Sequence, residues 1–288
     1  MYMNKIKYFF QFIFIISILF IFRILGLKIS SLLGGKLFEI IGPLFRSKKI
    51  IKSNILRVFP NINEKKLNEI SNSMWNNYGR VFAEYIFIKK FRKEKFDKNI
   101  LVEGKEILEN IKNTNQKVIF VSGHFSNFEL MAMQIEKVGI KLAAIYRPLN
   151  NFFLNPLMEN IRKKYICKNQ IKKGLGGIKE LIKLKREGHS TALMIDQRVS
   201  QGIRVNFFNE KAFTTTIPAQ LVKKFKIPVV PIFIERFENT KFKMTVYDPI
   251  NFSDTQSVED ITIKLNQIIE KMVLQNPKSW IWSHNRWK

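Results

Sequence analysis

The chain has 288 residues, of which 46% are hydrophobic and 13% are aromatic. This apolar content supports one large or two small domains, and it excludes a disordered protein because no low-complexity tract interrupts it. The formal net charge of +26 favours anionic partners, namely nucleic acid, an anionic membrane or a phosphorylated substrate. Part of the charge also has a compositional explanation, since Lys, Ile, Asn and Phe are all over-used, as expected of an AT-rich genome. The single cysteine, Cys167, excludes an internal disulfide framework and a cysteine-rich zinc site.

The N-terminal segment is the clearest shift in composition. Lys5 and Lys7 precede an apolar stretch, residues 8–27, in which Arg23 is the one charged residue. A helix of this length spans roughly 30 Å, which is enough to cross a bilayer. We expect residues 1–27 to form a single-pass membrane anchor and residues 28–288 to form one further domain. A cleaved signal peptide is disfavoured because no small-residue cleavage site follows, and a buried core helix is the remaining alternative.

Helical periodicity dominates the segment after the anchor. Apolar residues recur at three- and four-residue spacing over residues 30–41 and 63–91. We expect the first of these helices to end at the Gly42–Pro43 pair, because both residues disfavour helix continuation.

From Lys117 onward, short apolar runs alternate with helical stretches. The predicted strands cover residues 118–121, 142–145, 191–195, 229–234 and 242–247. The predicted helices cover residues 129–138, 178–186 and 258–274, the first two ending at Gly139 and Gly188. This alternation predicts an α/β domain with a mostly parallel central sheet flanked by helices.

Polar residues follow three of these strands. Ser122, Gly123 and His124 come after the first strand, Arg147 after the second and Asp196 after the third. Sites in open α/β sheets lie at the carboxyl ends of the strands, so we expect these residues to share one rim.

The segment 121–129, Val-Ser-Gly-His-Phe-Ser-Asn-Phe-Glu, has the composition of a catalytic turn. His124 and Glu129 are five positions apart, so they diverge by roughly 140° on a helix and face opposite sides on a strand. They can meet only across a turn, for which Gly123 and the pair Ser126–Asn127 supply suitable residues. A carboxylate bound to one imidazole nitrogen would make the other nitrogen a better base. An alternative stays open, because Ser126 and Glu129 also have the spacing of a helix capping box.

The same block resembles the His-x4-Asp/Glu motif of lysophospholipid and lipid A acyltransferases. In the lipid A branch the typical form is Gly-His-x-x-Asn-Trp-Glu, and residues 123–129 match it except at Phe128. Further blocks resemble this branch in the same order along nearly the whole chain: residues 74–80, 83–84, 146–148, 196–197, 205–214 and the Trp- and Arg-rich end at 280–288. The chain therefore resembles the lipid A biosynthesis acyltransferase family of the lauroyl and myristoyl type.

The resemblance implies a glycerolipid acyltransferase-like fold at the bacterial inner membrane, and the positive-inside bias of Lys and Arg favours a catalytic domain at the cytoplasmic face. It implies transfer of a fatty acyl group from acyl-acyl carrier protein to a hydroxyl, on a 3-hydroxyacyl chain, of a lipid A precursor. The expected partners are this donor, the glycolipid acceptor and an anionic membrane surface; no cofactor, metal or nucleic acid is expected. His124 would be the general base, and Glu129 would orient it.

Three other residues are candidates for supporting roles. Arg147 and Asp196 match positions near the active site of the family. An Arg147 guanidinium offers a forked donor to a phosphate or to a developing oxyanion, and Asp196 would anchor Arg147 or a water molecule. Asn127, together with the amides at the start of the following helix, would contribute to an oxyanion hole.

The sequence departs from the family pattern at three places. Phe128 replaces the usual Trp, Asn209–Glu210 stands where Gly is common, and Arg198 follows Asp-Gln where an acidic or small residue is usual. These changes leave the reaction class intact and bear on the choice of acceptor.

Two other functions are compatible with parts of the sequence. A glycerophospholipid acyltransferase is disfavoured by Glu129, where that branch has Asp, and by the lack of a Pro-Glu-Gly-Thr-Arg-like block. A membrane-tethered nucleic-acid binder is disfavoured because the basic residues are spread along the chain instead of clustering with aromatic residues.

The remaining reactive residues offer weaker sites. His189 is expected in a solvated turn, and His284, which lies between two Trp residues, is expected to pack or to lie at a membrane interface. The three histidines lack a metal-binding spacing. Cys167 is expected to be buried or incidental rather than nucleophilic. The glycines of 171–177 lack the ending of a phosphate-binding loop, and no Gly-x-Ser-x-Gly elbow occurs.

Overall fold

The computed structural model describes residues 2–288, with the backbone alone described at residues 2–4 and 175. The helices are α1 Tyr2–Leu25, α2 Leu27–Phe45, α3 Lys48–Val58, α4 Glu64–Glu84, α5 Ile88–Phe91, α6 Lys105–Asn113, α7 Glu129–Val138, α8 Leu154–Tyr165, α9 Leu175–Arg186, α10 Ile217–Phe225 and α11 Val258–Gln275. The strands are β1 Ile100–Glu103, β2 Ile119–Ser122, β3 Leu142–Tyr146, β4 Asn169–Lys172, β5 Ser190–Met194, β6 Ile203–Phe207, β7 Glu210–Thr214, β8 Val229–Glu238 and β9 Lys241–Val246.

A central sheet organises the domain, with strand order β1-β9-β8-β2-β5-β3-β4. All neighbours in it pair in parallel except β8 and β9, which form an antiparallel pair. Helices α7, α8 and α9 connect β2, β3, β4 and β5 in turn, as parallel strands require a crossover. The prediction of a mostly parallel sheet flanked by helices is therefore confirmed. A separate antiparallel hairpin, β6–β7, packs against α11.

The core lies between this sheet and its helices. Strand β2 is buried along its whole length, and the first six residues of β8 are buried as well. Strands covered on both faces need continuous apolar runs, which is why these two were recognisable from sequence. The short edge strands β1 and β4 and the hairpin β6–β7 were not predicted, because polar residues interrupt their patterns.

Helix α2 does not end at the Gly42–Pro43 pair, as the sequence had suggested, and continues to Phe45 with Pro43 in its last turn. Gly42 has a packing role: a Cβ there would lie 2.4 Å from the ring of Trp75, so only glycine lets α4 approach this closely. Since Pro43 lies two residues from the helix end, the missing hydrogen bond disturbs little of the helix. The predicted helix over 63–91 is present as α4 and α5, with a 3-10 turn at Tyr85–Phe87 between them.

Helix α1 is long and apolar enough to cross a membrane over Lys5–Leu25, and 11% of its most apolar window is buried in the protein. It nevertheless touches the rest of the chain. Leu19 and Phe22 pack with Ala83 of α4. Nδ2 of Asn151, in the loop after β3, donates a hydrogen bond to the carbonyl oxygen of Tyr8 at 2.9 Å. The apolar N-terminal helix is thus docked on α4 and on the loop that follows β3.

Candidate active site

The register between β2 and β5 brings His124 and Asp196 together. Ser122, the last residue of β2, pairs with Met194, the last residue of β5. His124 and Asp196 each lie two residues further on, so they leave the same edge of the sheet side by side. Nδ1 of His124 lies 2.8 Å from Oδ1 of Asp196, and the His124 backbone N–H donates to Oδ2 at 2.9 Å. His124 therefore binds both oxygens of this carboxylate.

Gly123 is required for this approach. A Cβ at this position would lie 2.7 Å from the ring of Phe125 and 3.2 Å from Cγ of Asp196. Any larger residue would push apart the two loops that carry His124 and Asp196.

The charge state of the pair follows from its burial. The Asp196 side chain is fully buried, while that of His124 is 21% exposed. Burial alone would raise the pKa of Asp196, but the charge and hydrogen bonds of His124 and the Trp280 N–H lower it to about 2. Burial likewise opposes the charged form of His124, yet Asp196 outweighs it and the net pKa of His124 is raised. Since an ionised carboxylate only accepts hydrogen bonds, Nδ1 of His124 carries the proton and Nε2 of the neutral ring is free to accept one.

The turn between β2 and α7 is fixed by contacts on both sides. Ser126 has a φ of 40°, in the left-handed region that residues with a side chain rarely adopt. It is held there because its N–H donates to the carbonyl of Ser279 at 3.2 Å and its Oγ accepts from the N–H of Arg236 at 3.1 Å. The capping-box alternative is therefore wrong: α7 starts at Glu129 with no side-chain cap.

The expected contact between His124 and Glu129 is replaced by a different pair. Oε1 of Glu129 accepts from Nε and Nη2 of Arg162 at 2.9 and 2.5 Å. Arg162 lies on α8, and its charge satisfies a carboxylate that is 8% exposed. Glu129 is still close enough to contribute to the raised pKa of His124 through its charge. A direct role of Glu129 in catalysis stays a prediction.

Asn127 lies behind the turn instead of in an open oxyanion hole. It is 1% exposed, and its Nδ2 donates to Oε2 of Glu84 at 2.9 Å. Glu84, at the end of α4, is fully buried and forms a two-point ion pair with Arg236, Nη1 to Oε1 at 2.5 Å and Nη2 to Oε2 at 3.0 Å. It also accepts from Oγ of Ser31 on α2 at 2.7 Å. Glu84 therefore ties the turn to β8 and to the N-terminal helices.

Replacement of Glu84 by glutamine should strongly destabilise the fold. The change leaves the Arg236 charge without its counter-ion, and breaking a buried pair costs roughly 3–5 kcal/mol. The free energy of unfolding, measured by chemical denaturation, should fall accordingly. Glu238→Gln is a matched control, because Glu238 forms an exposed pair with Lys241; it should leave stability nearly unchanged. Equal effects of the two variants would contradict the network.

Arg147 lies at the rim, directly after β3, with an exposed side chain. Within residues 2–288 its guanidinium forms no described hydrogen bond or ion pair, so the expected anchoring by Asp196 is not observed. Lys173 lies nearby: partial burial and the Arg147 charge both lower the pKa of Lys173. Neither Arg147 nor Lys173 forms an ion pair in the described part of the chain, so the two cations form a local positive patch at this edge.

Two cavities adjoin the rim. A small one of about 30 Å³ borders His124 and is lined mainly by α4 and the C-terminal segment, including Tyr78, Phe128, Trp280 and Ile281. It has room for one water molecule. A larger one of about 470 Å³ lies where β3 and β4 end, with Ile145, Ile171, Val199, Lys172 and Lys173 in its lining. Its volume falls within the range of ligand pockets, roughly 300–1,000 Å³.

The other reactive residues are otherwise engaged. Cys167 is buried, and burial raises the pKa of its thiol, so it does not provide a thiolate. Nδ1 of His189 lies 3.0 Å from the carbonyl of Leu184 at the end of α9. Burial lowers the pKa of His284 to about 4, and its Nε2 accepts from the N–H of Arg198 at 2.9 Å.

Sequence reasoning did not single out Arg162, Glu84 or Trp280 as parts of the site. Arg162 is one of several basic residues on α8, and nothing in its spacing points to Glu129. Trp280 belongs to the Trp-rich end, which resembled the family but gave no indication of what Trp280 does. Its Nε1 donates to Oδ2 of Asp196 at 2.9 Å.

Comparison with known proteins finds relatives that span most of the chain. Lipid A biosynthesis acyltransferase 2 of Shigella flexneri is 26% identical over 193 residues, which cover 66% of this chain and 61% of that protein. The lipid A biosynthesis myristoyltransferase of Escherichia coli (strain K12) is 24% identical over 235 residues, or 80% of this chain and 71% of that one. The solved structure of PlsC, a 1-acyl-sn-glycerophosphate acyltransferase from Thermotoga maritima, aligns with a TM-score of 0.45 at 16% identity, covering 89% of this chain and 100% of that one.

A family model matches nearly the whole chain. The model described as bacterial lipid A biosynthesis acyltransferase matches residues 2–288. This span includes the apolar N-terminal helix, the His124 turn and the Trp-rich C-terminal end. The chain belongs to the bacterial lipid A biosynthesis acyltransferase family.

Proposed function

We propose that this protein transfers a fatty acyl group from acyl-acyl carrier protein to a hydroxyl of a lipid A precursor, on one of its 3-hydroxyacyl chains. The observation that carries the proposal is the pair of His124 and Asp196 at the carboxyl edge of the sheet. It provides a base with a fixed tautomer and a free Nε2, as attack by a hydroxyl requires. Family membership supplies the acyl transfer and the lipid A acceptor.

The proposed reaction needs one base and no covalent acyl-enzyme, because a thioester is already activated. Nε2 of His124 takes the proton of the acceptor hydroxyl, and the hydroxyl oxygen attacks the thioester carbonyl carbon to form the new ester bond. The carbon–sulfur bond then breaks, and the thiol leaves with the proton returned by His124. Asp196 stabilises the imidazolium formed in between, at 2.8 Å from Nδ1.

The positive patch supports an anionic substrate. Lys173 lines the larger cavity, and Arg147 lies close enough to lower the pKa of Lys173 through its charge, whereas the neighbouring Lys172 already pairs with Glu159 at 3.2 Å. Phosphate groups of the glycolipid, or of the carrier's prosthetic group, would neutralise these charges. The net charge of +26 further favours an anionic membrane surface and an acidic carrier.

The proposed location is the inner membrane, with residues 1–27 as the anchor and residues 28–288 as the catalytic domain on the cytoplasmic side. Helix α1 supports this because Phe10 and Phe14 are 66% and 65% exposed on an apolar helix. The excess of Lys and Arg after the helix favours the cytoplasmic side.

Replacement of both Phe10 and Phe14 by aspartate should weaken membrane attachment. Each aspartate costs up to about 2.5–3.5 kcal/mol in a bilayer core. The share of the protein that resists alkaline extraction from membranes should fall, while the catalytic domain stays folded. Phe237→Asp is the matched control, since Phe237 is a 56% exposed aromatic residue on β8. Full retention of the double variant would contradict the anchor.

The substrate assignment is tested with the full chain in detergent. Acyl-acyl carrier protein is supplied with either a tetra-acylated lipid A precursor or lysophosphatidate, and products are read by mass spectrometry. We expect one acyl chain to be added to the lipid A precursor. Transfer to lysophosphatidate alone, or to neither acceptor, would overturn the proposal.

A further inference from the structure

The C-terminal segment, residues 277–288, packs against the candidate site through its tryptophans. Trp280 and Trp282 are 2% and 0% exposed, and their rings meet edge to face at 4.7 Å. Their indole N–H groups have different targets: Trp280 donates to Oδ2 of Asp196 at 2.9 Å, and Trp282 donates to the carbonyl of Pro277 at 2.7 Å. Two equally buried tryptophans thus differ in whether they touch the carboxylate.

Asp196 accepts three hydrogen bonds. Oδ1 faces Nδ1 of His124, while Oδ2 receives both the His124 backbone N–H and the Trp280 indole. Because His124 alone holds both oxygens, the carboxylate keeps its orientation without the indole. What Trp280 adds is an N–H dipole aimed at the negative charge, which makes the carboxylate a weaker acceptor for a proton or an imidazolium.

We propose that Trp280 is a positioning residue that acts on His124 through Asp196: its N–H draws charge away from Oδ2, which weakens the hold of Asp196 on the imidazolium and so favours the neutral ring that a base needs. The proposal rests on the proposed function in taking His124 as the base. Without the indole N–H, the negative charge of Asp196 falls more fully on Nδ1, and the His124 imidazolium becomes more stable.

The other charges around the pair are held by contacts of their own, so we expect them to stay in place when Trp280 is changed. Glu129 faces His124 from α7, and its charge is balanced by Arg162 on α8. His284 lies on the tail and is kept neutral by burial, which lowers its pKa to about 4. Arg286 is a buried cation whose guanidinium donates to the carbonyl of Phe213 and to Oγ1 of Thr214, and its charge also acts on Asp196.

From α4, Tyr78 faces Asp196 as well, and burial raises the pKa of its hydroxyl so that it stays neutral. None of these groups touches the indole N–H of Trp280, whose described hydrogen bond goes to Asp196. A change confined to that N–H therefore reports on the path through Asp196.

The test compares Trp280→Phe with Trp282→Phe in the full chain in detergent. Both variants lose an indole of similar burial, but only the first removes a donor from Asp196. We expect the pKa of His124, followed by NMR of histidine-labelled protein, to rise by roughly 0.5–1 unit in Trp280→Phe, a fraction of what one hydrogen bond to a charge is worth. The acid limb of the kcat/KM profile should move to higher pH by the same amount. Trp282→Phe should shift neither.

An unchanged or lowered pKa of His124 in Trp280→Phe, or an equal rise in Trp282→Phe, would overturn the proposal. If Trp280→Phe does not fold, the unaltered protein gives the answer: the Trp280 indole N–H resonance should move with the titration of His124. A Trp280 resonance that ignores this titration would overturn the proposal too. The NMR readout needs no turnover, so it is independent of the proposed function, which fails if His124→Ala keeps full activity.

Discussion

Replacement of His124 by alanine should lower kcat by roughly 10²–10⁴-fold, the range that a positioned general base contributes. The reason is geometric. Asp196 binds Nδ1 of the imidazole, which leaves Nε2 as a basic nitrogen that can accept the hydroxyl proton at this rim. The side chain is 21% exposed, so its loss should leave the fold intact. The measurement is the initial rate of acyl transfer to the lipid A precursor at saturating donor.

His189→Ala is the matched control for this variant. His189 closes the end of α9 through the carbonyl of Leu184, away from the carboxyl rim. Its replacement should leave kcat near the wild-type value. If His124→Ala retained wild-type turnover, another group would have to accept the hydroxyl proton, and the proposed mechanism would be wrong.

The rim itself could be predicted from the sequence. The apolar runs that became β2, β3 and β5 are strong signals because these strands are largely buried, and parallel strands present their carboxyl ends at one edge. His124, Arg147 and Asp196 were placed on that edge for this reason. The structure does place all three there, within two residues of the ends of their strands.

The partner of His124 could not be predicted in the same way. The local candidate was Glu129, five residues along the chain, whereas Asp196 is 72 residues away. Which two rim residues meet depends on strand order and register, since β5 and not β3 neighbours β2. Neither quantity is encoded in the pattern of apolar residues. A one-residue slip in the pairing of Ser122 with Met194 would have separated the pair.

Prediction of the C-terminal segment met a related difficulty. His284 was expected to pack or to lie at a membrane interface, and the hydrogen bond that its Nε2 accepts from the N–H of Arg198 agrees with packing. The contact of Trp280 with Asp196 depends on how the tail folds back against the loop after β5, and no local sequence spacing predicts that. Arg162 was missed for the same reason, because its partner Glu129 lies on a different helix.

Replacement of Asp196 by asparagine should lower kcat on the order of 10³-fold or more, with little change in melting temperature. Asparagine has the same shape but only one oxygen. Two donors, the His124 backbone N–H and the Trp280 indole, converge on Oδ2, so that position retains the oxygen. The amide NH₂ then faces Nδ1 of His124, which must become an acceptor. The ring proton moves to Nε2, and the base is lost although the contacts survive.

Glu129→Gln should lower stability more than turnover, the opposite of Asp196→Asn, and this contrast distinguishes the roles of the two carboxylates. Glutamine leaves the Arg162 charge without its counter-ion, and breaking such a pair costs roughly 3–5 kcal/mol of stability. His124 keeps its partner Asp196, so turnover of the folded protein should fall less than in Asp196→Asn. Adding Asp196→Asn to His124→Ala should cost little more than His124→Ala alone, because the two residues act as one unit. If Glu129→Gln abolished turnover at an unchanged melting temperature while Asp196→Asn kept it, Glu129 would be the working partner of His124, and the pair seen here would be structural.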